Sequence, residues 1–167
     1  MSIIDGLELD RLSQQKTVNI SSKLNFFISK IKKGKKEKTN SLSKKIIYIL
    51  DDSITNLNLT KTYLREILNF ENVETFLLPD ILFKRIIERK PDLIICDIEM
   101  GRYQVDGFFV KKIVEEKYKI PVLLFTAHSP YKIHDFYSHL NLKEFDIYYK
   151  PIKEDIYTKI SLLLEKI

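Results

Sequence analysis

Five polar residues of this chain have types that could do chemistry together, and each one directly follows or ends a short apolar run. Three are carboxylates, one is a hydroxyl and one is an ammonium group: Asp51, Asp52, Asp97, Thr126 and Lys150. Carboxylates that are crowded together repel one another and resist joint ionisation. A hard divalent cation relieves that repulsion, and Mg²⁺ prefers a few carboxylates together with water and phosphate oxygens. A lysine and a hydroxyl beside the ion would hold further phosphoryl oxygens, so the set predicts a phosphoryl group on or near a carboxylate.

The elements that must bring these residues together alternate along the chain from residue 46 onward. Apolar runs at 46–50, 73–77, 93–96, 121–125 and 145–149 read as strands. Segments with helical spacing separate and follow them, at 57–68, 79–87, 108–114, 130–140 and 152–163. Strands that are apolar throughout and alternate with helices indicate a parallel sheet covered on both faces. The pattern predicts a (βα)₅, doubly wound α/β domain, in which ligands bind at the carboxyl ends of the strands.

Four short motifs stand at those strand ends in a specific order. They are Asp-Asp-Ser at 51–53, the Asp97 of Asp-Leu-Ile-Ile-Cys-Asp-Ile-Glu-Met, Thr-Ala at 126–127, and Lys-Pro at 150–151. Each is common alone, but together they make the chain from Lys44 to Ile167 resemble the receiver domain of response regulators in bacterial-type two-component systems. The resemblance covers about three-quarters of the chain. It implies a five-stranded parallel sheet in the flavodoxin-like order 2-1-3-4-5.

The resemblance also implies a role for each polar residue. Asp97 would be the phosphoacceptor, a nucleophile that takes a phosphoryl group from a phosphohistidine of a sensor histidine kinase or phosphotransfer protein. The cofactor would be Mg²⁺. Its ligands would be Asp51, Asp52, Asp97 and the main-chain carbonyl of Glu99.

Two further residues complete the implied site. Lys150 would neutralise charge during the transfer, and Thr126 would hydrogen-bond the acyl phosphate. The domain would catalyse its own phosphorylation and dephosphorylation, and it would not be an enzyme acting on a foreign substrate. It would signal through contacts with a downstream protein.

Several residues depart from the family pattern or carry less signal. The family usually has proline where Gly101 stands and often has an aromatic residue where Ile147 stands. Glu99 and His128 match positions that tune the phosphoryl lifetime in the family. Among the other candidates, His134 and His139 are five residues apart and do not share a helix face, which disfavours a metal site there. Cys96 lies inside an apolar strand and is interpreted as an inert core thiol.

The basic character of the chain belongs to its N-terminal part. Residues 1–45 contain 11 basic and 4 acidic residues, whereas residues 46–167 contain 17 and 19. We therefore predict an N-terminal extension over 1–43 and a receiver domain over 44–167. Within the extension, a helix over about 18–33 is followed by a basic linker, because apolar residues recur at helical spacing: Ile20, Leu24, Phe27, Ile28 and Ile31.

The role of this helix stays open at the level of sequence. It could lie on an anionic membrane surface, dock on a partner, pack on its own domain or pair two copies into a homodimer. The basic segment could touch nucleic acid by charge, but no base-reading motif accompanies it, so we expect no specific DNA binding.

Two functional hypotheses follow from different classes of protein. The first is a stand-alone receiver without a C-terminal DNA-binding domain, phosphorylated on Asp97. The alternative is a degenerate receiver that acts as a constitutive protein-binding or membrane-recruited adaptor. The complete set of polar residues favours the first. One cysteine, no signal peptide and no long apolar run favour a cytoplasmic location, with membrane association through the N-terminal helix as the variant.

Overall fold

The computed structural model describes residues 42–101, 105–150, 152–153 and 155–165, which belong to a unit spanning Asn40–Ile167. The predicted helix over 18–33 and most of the basic linker lie outside the described residues. Both therefore stay predictions, as does the domain boundary at residue 43.

Five parallel strands form a single sheet in the order β2-β1-β3-β4-β5. Their bounds are Ile46–Leu50 for β1, Asn72–Phe76 for β2, Leu93–Asp97 for β3, Val122–Thr126 for β4 and Ile147–Tyr149 for β5. The predicted strand order is confirmed. Because the order reverses beside β1, the carboxyl ends of β1 and β3 flank the switch point where such sheets bind ligands.

Five helices connect or follow the strands, and most begin at a residue whose side chain caps the first turn. Ser53, Asp106 and Ser129 each accept a hydrogen bond from a main-chain N–H three residues later, which satisfies a donor that the helix leaves unpaired. The helices are α1 Ile54–Thr62, α2 Pro79–Glu88, α3 Gly107–Ile113, α4 Pro130–Phe136 and α5 Ile156–Leu164. A π-helical turn continues α1 through Ile67, and another continues α3 through Tyr118.

Some predicted bounds are wrong. The last strand begins at Ile147 rather than 145, because Phe145 N–H bonds to Leu142 in a 3₁₀ turn. The helix predicted over 130–140 ends at Phe136, and the closing helix begins at Ile156 rather than 152.

Each face of the sheet has its own apolar core. One core joins β-strand side chains to α2 and α3 through residues such as Leu82, Ile86 and Val110. The other joins the opposite face to α1 and α5 through Leu57 and Ile160. This is the doubly wound arrangement that the apolar strands predict, because strands buried on both faces have no polar side. Among the described helices, none is both long and apolar enough to cross a bilayer.

An ion pair between a buried lysine and a partly exposed glutamate joins α3 and the turn that continues it to the start of β4. The Lys111 ammonium donates to the Val122 carbonyl over 2.7 Å and forms an ion pair with Glu115. The Glu115 carboxylate accepts from the Val122 N–H over 3.0 Å. The N–H and the carbonyl of Val122 are therefore both hydrogen-bonded to side chains of this ion pair. Such charge-assisted bonds fix the position of α3 against the sheet more firmly than apolar contact alone.

Candidate functional site

The carboxyl ends of four strands bring the five polar residues to one rim of the sheet. Asp51 follows β1 directly, Asp97 is the last residue of β3, Thr126 is the last residue of β4, and Lys150 follows β5. The Lys150 N–H donates to the Thr126 carbonyl over 2.7 Å, so the ladder between β4 and β5 fixes the origin of the lysine side chain. The convergence that the sequence predicts is present.

Three carboxylates form an acidic cluster at this rim. One oxygen each of Asp51, Asp52 and Asp97 lies within 4.8 Å of the other two. Asp51 and Asp97 are almost fully buried, whereas Asp52 is half-buried. The Asp51 Oδ1 atom is held by the Ser53 N–H over 2.9 Å and by the Asn56 side-chain amide over 3.3 Å. The cluster therefore presents several oxygens of fixed direction to a common point, which suits a hard cation.

The Lys150 ammonium bridges two of these carboxylates. Its Nζ atom lies 2.7 Å from Asp51 Oδ2 and 2.8 Å from Asp97 Oδ1. It also lies over the ring of Phe125 at 5.3 Å from the centroid, within the range of cation–π attraction. The lysine thus supplies the positive charge that allows neighbouring carboxylates to remain ionised in a buried place.

Burial and the lysine act in opposite directions on Asp97. Burial raises the pKa of the Asp97 carboxyl to about 6 from its ordinary value of 3.8, and Lys150 opposes the rise. Burial alone would lower the pKa of Lys150, but its contacts with Asp97 and Asp51 together outweigh that effect and raise it. The lysine is therefore charged at neutral pH, and Asp97 is predominantly a carboxylate.

Thr126 is buried beside the cluster with its hydroxyl already oriented. The Oγ1 atom accepts a hydrogen bond from the His128 N–H over 3.0 Å. Because the oxygen acts as the acceptor in this bond, the hydroxyl keeps its own hydrogen for donation. Thr126 can therefore give a hydrogen bond to an oxygen that is bound next to the Asp97 carboxylate.

Glu99 and His128 form a contact that sequence reasoning missed. The predicted function of Glu99 concerns its main-chain carbonyl, and that role stays a prediction. Its side chain instead pairs with His128, at 2.6 Å between Oε2 and Nε2. The pair spans the loop after β3 and the loop after β4. Its residues are 29 positions apart along the chain and share no motif, so only tertiary structure reveals the contact.

Gly107 is a second residue whose importance the sequence did not show. Its N–H donates to the Ile98 carbonyl over 2.9 Å, which brings the first turn of α3 against the end of β3. A Cβ atom at Gly107 would lie 2.3 Å from the carbonyl oxygen of Asp97 and 2.8 Å from the Cα of Ile98. Only glycine fits this approach. The one sequence feature that could have indicated this role is the Asp-Gly pair at 106–107, which stands between a loop and a segment with helical spacing.

The remaining candidates lie away from the acidic cluster or inside the core. His134 and His139 are exposed on and after α4. Cys96 is fully buried, and burial raises the pKa of its thiol well above the ordinary range. A buried thiol of this kind has little thiolate character, as the interpretation of an inert core residue requires.

Fold and site together define a doubly wound α/β domain with a lysine-bridged acidic pocket at the switch point of its sheet. The chain belongs to the response regulator receiver domain family, whose sequence profile matches residues 47–160, more than half of the chain. The resemblance stated from the motifs is thereby confirmed. Membership places the chain among domains of phosphorylation-dependent signalling. No curated protein matches it.

Solved receiver structures share the fold at low sequence identity. The chain is 19% identical to the apo receiver domain of nitrogen regulatory protein C, with a TM-score of 0.57 over 73% of this chain and 95% of that one. It is 22% identical to the chemotaxis response regulator CheY4 of Vibrio cholerae, with a TM-score of 0.55 over 72% and 98%. The BeF3-activated DrrB receiver domain gives 21% identity and a TM-score of 0.54 over 73% and 98%. These similarities concern the fold alone.

The close approach at Gly107 predicts a strong effect of a single methyl group. Gly107→Ala should lower the free energy of unfolding by about 2 kcal/mol, because the added Cβ overlaps main-chain atoms of β3 that have little room to move. Urea denaturation measures the change. Gly101→Ala is the matched control, since its Cβ would meet no atom within 4 Å, and should change stability by less than about 0.5 kcal/mol. Equal effects of the two substitutions would contradict the packing described here.

The buried position of Asp97 predicts an unusual titration. In protein without Mg²⁺, the Asp97 carboxyl should titrate near pH 6, with its ionised fraction rising as the pH rises. Carboxyl-carbon NMR measures this, and Asp97→Asn identifies the resonance by its loss. Lys150→Met should move the midpoint upward, because the ammonium favours the carboxylate form. Lys153→Met, which removes an exposed lysine, should leave the midpoint in place. A midpoint near 4 in the unsubstituted protein would disprove the assignment.

Proposed function

We propose that Asp97 accepts a phosphoryl group from a phosphohistidine of a sensor histidine kinase or phosphotransfer protein, in a Mg²⁺-dependent reaction. The phosphorylated chain then signals through contacts with another protein. One observation carries the proposal: the Lys150 ammonium lies between the carboxylates of Asp51 and Asp97, inside a three-aspartate cluster. Buried clusters of charge with perturbed pKa values concentrate at functional sites, and phosphoryl transfer uses positioned charges of this kind.

The transfer uses Asp97 as the nucleophile. A carboxylate oxygen of Asp97 forms a bond to phosphorus while the bond between phosphorus and the donor imidazole nitrogen breaks. The electron pair of that bond stays on the imidazole nitrogen, which takes up a proton. Asp97 must be ionised for this attack, and Lys150 holds it so by a 2.8 Å contact. Reactions of this type proceed through a loose, in-line transition state, in which positioning and charge stabilisation do most of the catalysis.

Lys150 and Thr126 stabilise the charge that arrives with the phosphoryl group. The ammonium has three hydrogens, and its contacts with Asp51 and Asp97 leave one for a phosphoryl oxygen. Thr126 donates its hydroxyl hydrogen to a second oxygen. Both groups are fixed before the reaction, Lys150 by the ladder from β5 to β4 and Thr126 by the His128 N–H. Preorganised donors of this kind require no rearrangement during the reaction.

The residues present fit a Mg²⁺ ion. Carboxylate oxygens of Asp51, Asp52 and Asp97 converge within 4.8 Å of one another, and all are hard oxygen ligands. With the main-chain carbonyl of Glu99 they would hold the ion, which supplies charge neutralisation at the phosphoryl oxygens when bound. The chain itself then serves as acceptor and as catalyst of its own phosphorylation and dephosphorylation, with no foreign substrate turned over. We also propose a cytoplasmic location for the chain, because the proposed phosphohistidine donor works in that compartment.

An intact-mass measurement tests the acceptor directly. Incubation with acetyl phosphate and Mg²⁺ should add one phosphoryl group to the chain, because Asp97 is ionised and the site is complete. The gain should be absent without Mg²⁺ and absent in Asp97→Asn. If the chain neither gains mass nor binds beryllofluoride with Mg²⁺, the proposal is wrong and the constitutive adaptor becomes the better description.

An apolar groove beside the acidic cluster supports a protein as the phosphodonor. The groove has a volume of about 900 Å³ and extends from Asp52 and the first turn of α1 over the end of β2 to the first turn of α2. Its apolar lining includes Ile54, Leu77, Leu78 and Ile81, all of which are exposed. Clustered exposed apolar side chains mark sites of protein contact. A donor that delivers its phosphohistidine to Asp97 brings its own surface over this groove.

The groove predicts a difference between protein and small-molecule donors. The test uses an autophosphorylated sensor kinase that phosphorylates the unsubstituted chain. Ile81→Asp should slow phosphoryl transfer from this kinase by about tenfold, a loss of roughly 1.4 kcal/mol. Phosphorylation by acetyl phosphate should stay unchanged, because Ile81 does not touch the reacting groups. Ile87→Asp, an exposed substitution on the same helix outside the groove, is the control and should leave both reactions unchanged. Equal transfer rates for the two variants would exclude the groove as the docking surface.

A further inference from the structure

Lys150 reaches its two carboxylates across a neighbouring strand. In the register of the sheet, Asp97 of β3 lies beside Phe125 of β4, and Phe125 lies beside Tyr148 of β5. Lys150 stands two residues after Tyr148, the spacing at which strand side chains share a face of the sheet. Its ammonium lies 2.8 Å from Asp97 Oδ1, so the side chain crosses β4 to arrive there. A long side chain held in this way loses much of its rotational freedom and needs support along its length.

The ring of Phe125 supports the ammonium on this path. The Lys150 Nζ atom lies 5.3 Å from the ring centroid, within the range of cation–π attraction. The same ring stacks on that of Tyr148, with the centroids 5.4 Å apart and the planes inclined by 29°. Both rings are buried in one apolar core, where close packing leaves them little room to turn. The Tyr148 ring therefore fixes the surface on which the lysine lies.

The hydroxyl of Tyr148 fixes the chain that follows Lys150. It donates to Asp155 Oδ1 over 2.6 Å and accepts from the Lys153 N–H over 2.8 Å. Burial and, next, the contact with Asp155 raise the pKa of Tyr148 to about 12, so the hydroxyl keeps its hydrogen at neutral pH. The loop between β5 and α5 is thereby tied back to β5.

Asp155 stands directly before α5, where a carboxylate usually caps the first turn of a helix. Within the part of the chain that the structure describes, the Asp155 side chain does not cap α5. Its carboxylate accepts the hydrogen of Tyr148 instead, although the residue is otherwise exposed. The contact therefore holds the loop after Lys150 rather than the helix that follows.

We propose that Tyr148 is a positioning residue for phosphoryl transfer, which holds the Lys150 ammonium between Asp51 and Asp97 through its ring and its hydroxyl. The inference rests on the proposed phosphorylation of Asp97. Tyr148 acts through Lys150 and takes no part in the making or breaking of bonds. Lys150 is then fixed from both directions along the chain, because its own N–H donates to the Thr126 carbonyl over 2.7 Å.

The consequence for the reaction follows from the three hydrogens of the ammonium. Two of them point to Asp51 and Asp97, and these contacts set the direction of the third, which serves a phosphoryl oxygen. A displaced ammonium would stabilise the charge of the transferred group less well, because such stabilisation depends on donors that are already in place. Loss of the Tyr148 hydroxyl therefore affects the reaction through the lysine.

Hydrogen exchange of the Lys150 ammonium measures its position directly. Proton–nitrogen NMR of the full chain, without Mg²⁺ or phosphodonor, records ammonium groups that hydrogen bonds protect from water. Lys150→Met identifies the resonance by its loss. Tyr148→Phe keeps the ring and removes the hydroxyl, and it should speed the exchange by about fivefold, the size expected for one ordinary hydrogen bond. The ammonium of Lys111, which is buried beside Glu115, should exchange as before and show that the fold is intact.

The rate of phosphorylation tests what this position does for the reaction. With acetyl phosphate and Mg²⁺, Tyr148→Phe should slow the gain of mass by at least about threefold, because the ammonium no longer rests in its productive place. Asp155→Ala removes the acceptor of the same hydrogen bond at an exposed position, and it should slow the gain as well. The combined variant should be no slower than Tyr148→Phe alone, because both changes remove one bond.

Lys159→Met is the matched control. It removes the ion pair of 2.5 Å that joins α5 to Asp146, directly before β5. The substitution therefore loosens the same helix against the same strand and leaves the bonds of the Tyr148 hydroxyl in place. The exchange of the Lys150 ammonium and the rate of phosphorylation should both stay as in the unsubstituted chain.

The outcomes separate this inference from the proposed function. If the unsubstituted chain gains no phosphoryl group, the proposed phosphorylation is wrong, and the role of Tyr148 in it is wrong as well. If the chain is phosphorylated but Tyr148→Phe leaves either the ammonium exchange or the rate unchanged, only the role of Tyr148 is wrong. The same conclusion follows if Lys159→Met reproduces both effects, since a loosened α5 would then explain them.

Discussion

The ammonium of Lys150 between Asp51 and Asp97 is the interaction on which the rest of this site depends. Buried carboxylates within 4.8 Å of one another repel strongly, and a place of low exposure offers little water to screen them. The lysine supplies the compensating charge at distances of 2.7 and 2.8 Å. Its position is set by the ladder between β4 and β5, through the bond from the Lys150 N–H to the Thr126 carbonyl. Strand β5, at the edge of the sheet, therefore positions the positive charge of the site as well as completing the sheet.

Packing on both faces of the sheet keeps these charges in register. Two apolar cores, one under α2 and α3 and one under α1 and α5, pack against the same five strands. A shift of one strand end would therefore disturb the packing of both cores. At Gly107 the first turn of α3 reaches the main chain of Asp97 itself. At the far end of the same helix, the charged pair of Lys111 and Glu115 fixes α3 to the start of β4. Helix α3 is therefore anchored to the site at its first turn and to the amino end of β4 at its last turn.

Two surfaces of different chemistry border the acidic cluster. The groove over the end of β2 begins at Asp52 and is lined by exposed apolar side chains of the first turns of α1 and α2 and of the residues between β2 and α2. Helix α4 follows β4 on the side of Thr126, and Ile133 is the one residue of the helix that is buried. The strand order places β2 and β4 on opposite sides of β1 and β3, so the two surfaces lie on different sides of the acidic cluster.

The sequence by itself determined the class of fold, the order of elements and the five polar residues of the rim, because those properties depend on local patterns. Apolar runs indicate strands buried on both faces, and parallel strands carry the residues at their carboxyl ends to one edge. Only the tertiary structure decided which residues of separate elements meet, such as the pair of Glu99 with His128 and the approach of Gly107 to the main chain of Asp97. The late start of β5 belongs with them, because the Phe145 N–H is used in a turn with the Leu142 carbonyl.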